Sequence, residues 1–62
     1  METQTVLTIE DDDDIREWLV HTLSAAGYAT LEAAEGPAGV DLALKRQPDL
    51  VRLDLMLPGM HG

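Results

Sequence analysis

Apolar and polar positions alternate between two kinds of pattern along the chain. Residues 5–9, T-V-L-T-I, are rich in β-branched side chains and almost continuously apolar, as expected of a strand buried on both faces of a parallel sheet. The acidic residues that follow end it. From Asp13 or Asp14 onward, Ile15, Trp18, Leu19, Thr22, Leu23 and Ala26 recur at spacings of three and four, which places them on one helical stripe, and Gly27 supplies the stop. Residues 28–33, Y-A-T-L-E-A, read as a short second strand. Gly36 and Pro37 then open a second helix, with proline at its favoured first position. Val40, Ala43 and Leu44 are the expected inner face of that helix, Ala38 and Gly39 are small enough to approach a sheet closely, and Pro48 closes it. A third strand is expected over residues 50–55, L-V-R-L-D-L, followed by a loop over residues 57–62 containing Pro58, Gly59 and Gly62.

Strands alternating with helices predict an α/β domain over residues 1–62, with a parallel sheet and right-handed crossovers. With the first strand in the middle the order is 2-1-3. The crevice at the reversal of order then lies between strands one and three, at their carboxyl ends. Glu10 and Asp11 end strand one, and Asp54 lies near the end of strand three, so acidic groups from two strands converge there.

Composition sharpens this picture. A 62-residue chain buries only about 60% of the surface it exposes when unfolded, so a metal or a partner subunit would help to hold it together. There is no cysteine, which fits a reducing compartment and removes the disulfide option. The opening residues are polar and acidic, unlike a signal peptide, and no apolar run approaches the ~20 residues of a membrane span. The reading is a soluble, cytoplasmic chain. Four basic residues against twelve acidic ones give a formal charge of −8, which argues against nucleic-acid binding and favours divalent cations or basic partners.

Carboxylates gathered from two strand ends repel one another unless something positive compensates. Mg²⁺ suits such a place, because it takes octahedral oxygen ligands and is held by one or two carboxylates together with phosphate oxygens. Asp11 and Asp54 are the candidate direct ligands, with Glu10 acting through a water. A carboxylate beside a metal can also be a nucleophile in aspartyl-phosphate chemistry. Asp54 is the candidate for that role, because the loop after its strand could turn the backbone carbonyl of Met56 toward the metal.

V-L-T-I-E-D-D-D-D-I-R-E-W-L resembles the first strand and acidic turn of response-regulator receiver domains, and P-D-L-V-R-L-D-L-M-L-P-G-M-H-G resembles their third strand and phosphoacceptor loop. With E-A-A-E-G-P-A-G-V-D-L-A-L between them, the resemblance covers almost the whole chain. It implies the βαβαβ half of a flavodoxin-like, doubly wound parallel sheet. It further implies Asp11 as principal metal ligand, Glu10 as its acidic neighbour, Asp54 as phosphoacceptor, Met56 as a main-chain carbonyl ligand, and Mg²⁺ as cofactor. The donor would be a phosphohistidine on a sensor histidine kinase, and the domain would accept phosphate without being an enzyme.

Three features depart from the family pattern. Its fold continues through two further strands bearing a hydroxyl residue and a lysine, which these 62 residues do not include. His61 stands where an acid is usual, and Arg52 occupies a strand position normally apolar. Burying an unpaired guanidinium costs several kcal/mol, so Arg52 should be paired, exposed or destabilising.

Simpler roles suit the remaining chemistry-bearing residues. Asp13 and Asp14 read as helix cap and first turn. His21 reads as a surface residue, Trp18 as helix packing, and Met60 as loop packing. Two rival functions compete with the receiver reading. One is a non-catalytic module that self-associates by pairing strand three with its copy in a homodimer, giving the order 2-1-3-3′-1′-2′. The other is a metal-dependent phosphatase, which the absence of a D-x-D pattern at Asp54 disfavours.

Overall fold

The structure is a computed structural model that describes residues 3–54, and of Asp54 the backbone only. Five elements follow in order: β1 (Thr5–Glu10), α1 (Asp13–Ala25), β2 (Ala29–Ala33), α2 (Gly36–Arg46) and β3 (Leu50–Asp54). The strands form one parallel sheet in the order β2-β1-β3. The fold is therefore the α/β arrangement expected, with the 2-1-3 order of a partial flavodoxin-like sheet.

Side-chain alternation along β1 assigns the helices to opposite faces. Leu7 and Ile9 join Ala33 in a buried core against which Leu31 and, from α2, Leu42 and Ala43 are packed. Gly39 lets α2 come close, since a Cβ there would lie 2.2 Å from Cδ1 of Ile9. On the other face are Val6, Thr8 and Glu10, all buried. The cross-strand neighbour of Thr8 in β2 is Glu32, whose side chain is reached by Arg16 of α1. Helix α1 thus covers the second face, and the sheet is doubly wound.

Local chemistry explains the boundaries. Asp12 is the N-cap of α1, its Oδ1 accepting from the N–H groups of Asp14 (2.9 Å) and Ile15 (3.0 Å). The cap is therefore one residue earlier than expected, and Asp13 and Asp14 occupy the first turn. At the other end Gly27 takes φ 96°, and two bonds close the turn: Gly27 N–H to the Ser24 carbonyl and Tyr28 N–H to the Leu23 carbonyl. That is a Schellman motif. It occupies the Tyr28 N–H, and the strand begins at Ala29, not at residue 28. Strand β1 runs one residue further than expected because Glu10 still pairs with Asp54. The expected end of strand three at Leu55 lies outside the described residues.

The helix faces differ from expectation. In α1 Leu19 is buried, but Trp18 is 64% exposed and Ile15 is exposed as well, so Trp18 is not a packing residue here. In α2 Ala43 faces the core as expected, whereas Val40 and Leu44 are 59% and 73% exposed. The buried stripe is Gly39, Leu42 and Ala43. Close approach at Gly39 sets the rotation of the helix, and Val40 and Leu44 fall to the side of that line. Arg52 is exposed on β3, so no guanidinium is buried there. Among the described residues no helix is long and apolar enough to cross a membrane.

Candidate functional site

The carboxyl end of β1 carries the candidate chemistry. Glu10 and Asp54 are cross-strand partners in the β1–β3 ladder, and neighbouring strands lie about 4.8 Å apart, so these two acidic positions share one end of the sheet. Asp11 follows at once, exposed, in the link to α1. An open concavity of about 260 Å³ lies over this turn, lined by Glu10, Asp11, Asp12 and Ile15.

The four consecutive aspartates and Glu10 do different work. Glu10 is only 1% exposed, and its Oε1 accepts from the backbone N–H of Asp12 at 3.0 Å, so it braces the turn from within. Asp12 is committed to the helix cap. Asp13 pairs with Arg16 at 2.5 Å. Asp14 is an exposed first-turn residue, suited to the positive end of the helix dipole. Asp11 is thus the acid at the concavity with no such structural duty among the contacts described. Its exposure leaves its carboxylate open to a ligand.

Hard oxygen donors are the right kind for Mg²⁺. Among the described residues, however, no group of three or more His, Cys, Asp or Glu side chains is placed to hold a metal. The set expected from the sequence draws on the side chain of Asp54 and the carbonyl of Met56, and both lie outside the described residues. So does His61. His21 is exposed on α1, in line with a surface role.

One residue of the turn was not singled out by its sequence. Arg16 donates through Nη1 to the Glu10 carbonyl (2.9 Å), through Nη2 to Asp13 (2.5 Å) and through Nε to Glu32 on β2 (3.3 Å). Its pKa is held above the ordinary guanidinium value, chiefly by the Asp13 hydrogen bond and further by Glu32, with desolvation opposing. The i,i+3 spacing from Asp13 was a visible signal for one of these contacts. The contact with Glu32 joins residues that are remote in sequence.

Comparison with known proteins agrees with this architecture. The family model of the response regulator receiver domain matches residues 6–62. Over 57 residues the chain is 46% identical to the transcriptional regulatory protein HprR of Escherichia coli, covering 92% of this chain and 26% of that protein. It is 39% identical over 62 residues to sporulation initiation phosphotransferase F of Bacillus subtilis, covering all of this chain and 50% of that protein. It is also 41% identical over 59 residues to the phosphate regulon transcriptional regulatory protein PhoB of Pseudomonas aeruginosa, covering 95% of this chain and 26% of that protein. The chain thus spans between a quarter and a half of the length of these relatives. With a β2-β1-β3 parallel sheet whose acidic strand ends adjoin, and a family match through nearly its whole length, this chain belongs to the response regulator receiver domain family, the receiving side of two-component signalling.

Proposed function

We propose that Asp54 is the phosphoacceptor of this receiver and that a histidine kinase is the donor. The observation that carries the reading is the cross-strand pairing of Glu10 with Asp54, which sets the Asp54 position beside the acidic turn at the carboxyl end of the sheet. In the transfer an Asp54 carboxylate oxygen attacks phosphorus, the P–N bond to the kinase imidazole breaks, and the imidazole leaves with the electron pair. Mg²⁺ held by Asp11, Asp54 and the Met56 carbonyl, with Glu10 acting through a water, would neutralise charge on the phosphoryl oxygens. Asp11 supplies an exposed carboxylate, and Glu10 fixes the turn by accepting the Asp12 N–H. Such a module acts in the cytoplasm, where the kinase's phosphohistidine is formed.

Acetyl phosphate can stand in for the kinase. Incubation with Mg²⁺ should add one phosphoryl mass to the chain, at Asp54 in the peptide map, and Asp54→Asn should abolish it. An unmodified chain, or an adduct at another residue, would overturn the assignment.

A second reading concerns association. Leu50, Val51 and Leu53 of β3 are exposed, as are Val40 and Leu44 of α2, a concentration of apolar surface that favours a protein partner. A homodimer that pairs β3 with its own copy antiparallel would cover the strand edge and extend the sheet. The family match supports phosphate signalling over a non-catalytic module as the function, and dimerisation is compatible with it. Sedimentation at micromolar concentration tests the dimer: Val51→Pro should yield monomers, and a monomeric parent chain would refute it.

A further inference from the structure

The guanidinium of Arg16 touches three elements at once: the last residue of β1, the first turn of α1 and the penultimate residue of β2. We infer that Arg16 is a positioning residue for Asp11, holding the carbonyl of Glu10 and thereby fixing the peptide that launches Asp11 into the concavity. This rests on the reading of Asp11 as a metal ligand.

The argument begins with the peptide unit. The Glu10 carbonyl oxygen and the Asp11 nitrogen belong to one planar group, kept flat by a barrier of about 18–20 kcal/mol to rotation about the C–N bond between Glu10 and Asp11. Anchoring the oxygen at 2.9 Å from Nη1 therefore sets the plane in which the Asp11 backbone starts. The same turn is held again from within, by Glu10 Oε1 on the Asp12 N–H at 3.0 Å. One bond grips the carbonyl of Glu10 and the other the amide two residues on, with Asp11 between them. Two bonds of opposite polarity thus bracket a single residue.

Arg16 is itself held from two sides. Asp13 Oδ1 at 2.5 Å and Glu32 Oε1 at 3.3 Å hold the planar fork to α1 and β2, so a shift of the guanidinium with the carbonyl would lengthen both contacts. Its side chain is only 16% exposed, and Arg16 is not among the residues lining the concavity. It steadies the turn without entering the site.

The direction of the effect separates positioning from simple charge. A cationic side chain near a cation site repels the metal, so by charge alone its removal should tighten Mg²⁺ binding. Loss of positioning should weaken binding, and supporting residues behind metal ligands typically contribute 10–100-fold in affinity. For an open turn the lower end applies.

The test uses the full 62-residue chain. Arg16→Gln should weaken Mg²⁺ binding in a calorimetric titration by about tenfold. It should also lower the backbone ¹⁵N order parameter of Asp11 toward the flexible range, below about 0.6, while that of Leu7 in mid-strand is unchanged. Arg16→Lys, which keeps the charge but cannot span three acceptors, should recover only part of both. Unchanged or tighter Mg²⁺ binding, or an Asp11 order parameter equal to that of the parent, would overturn the inference. If the parent chain itself binds no Mg²⁺, the ligand reading of Asp11 falls while the order parameter still decides the role of Arg16. Should Arg16→Gln not fold, Glu32→Gln removes one anchor and must lower the Asp11 order parameter; an unchanged value would refute the proposal.

Discussion

Asp49 and Thr5 are joined twice. The Asp49 N–H donates to the Thr5 carbonyl at 2.9 Å, and the Asp49 carboxylate accepts from the Thr5 N–H at 2.7 Å. This closed pair fastens the entry of β3 to the entry of β1, so the register that reaches Glu10 and Asp54 is fixed from its far end. Asp49→Ala should therefore lower unfolding stability by about 1.5 kcal/mol, an exposed hydrogen bond to a charged group lying near the bottom of its range. Asp49→Asn, which keeps an acceptor oxygen, should lose less. Urea midpoints of the three chains check the order, and equal midpoints would show that the ladder needs no such fastening.

Thr8 is fully buried at the centre of β1, and its hydroxyl has no hydrogen-bond partner among the described residues. Thr8→Val replaces that hydroxyl by a methyl of nearly the same shape and should raise stability by about 1 kcal/mol, the lower end of the cost of an unsatisfied buried group. A thermal melt settles it: a lowered midpoint would mean the hydroxyl is satisfied.

The close approach at Gly39 predicts a conflict between two substitution effects. Alanine is better than glycine in a helix by about 1 kcal/mol, but its Cβ would meet Ile9 at 2.2 and 2.6 Å, and overpacking costs about 1–3 kcal/mol. Ile9 is buried and has little room to yield, so Gly39→Ala should be destabilising. Adding Ile9→Val, which removes the Cδ1 carbon, should recover part of the loss. A double-mutant cycle that shows simple additivity would deny the contact.

Metal binding should distinguish neighbouring aspartates. Asp11 lines the concavity and Asp14 does not, although both are exposed. Asp11→Asn should weaken Mg²⁺ binding severalfold, and Asp14→Asn should leave it nearly unchanged apart from long-range charge, which about 0.1 M salt screens beyond roughly 10 Å. Equal effects in a titration at that salt would mean diffuse attraction to the acidic run.

The sequence made the elements legible because each boundary has a local cause. Gly27 stops α1, α2 ends on left-handed Gln47 just before Pro48, and Pro37 lies in the first turn of α2. The parallel order followed from the alternation of strands and helices. Helix rotation was less legible. The apolar stripe of α2 is broader than the face it buries, and the sequence does not reveal that Ile9 draws Gly39 inward and turns Val40 and Leu44 out. At the candidate site, Glu10, Asp11 and the Asp54 position fell where strand ends must meet. The division of labour among the acids did not, since capping by Asp12 and the reach of Arg16 to Glu32 depend on how the turn and the helix settle in space.

The central place of β1 carries a consequence for synthesis. Its first partner begins at Ala29 and its second at Leu50, so the Thr5 and Asp49 that fasten together are 44 residues apart. At about 5–20 residues per second, a ribosome needs on the order of 2–9 seconds to make that stretch. For the whole of that interval Val6, Leu7 and Ile9 have left the peptidyl-transferase centre without the third strand beside them, and for the first part of it without β2 and α2 as well. The residues that end most deeply hidden are made before the elements that cover them, and the nascent chain must keep them from other partners until its third strand follows.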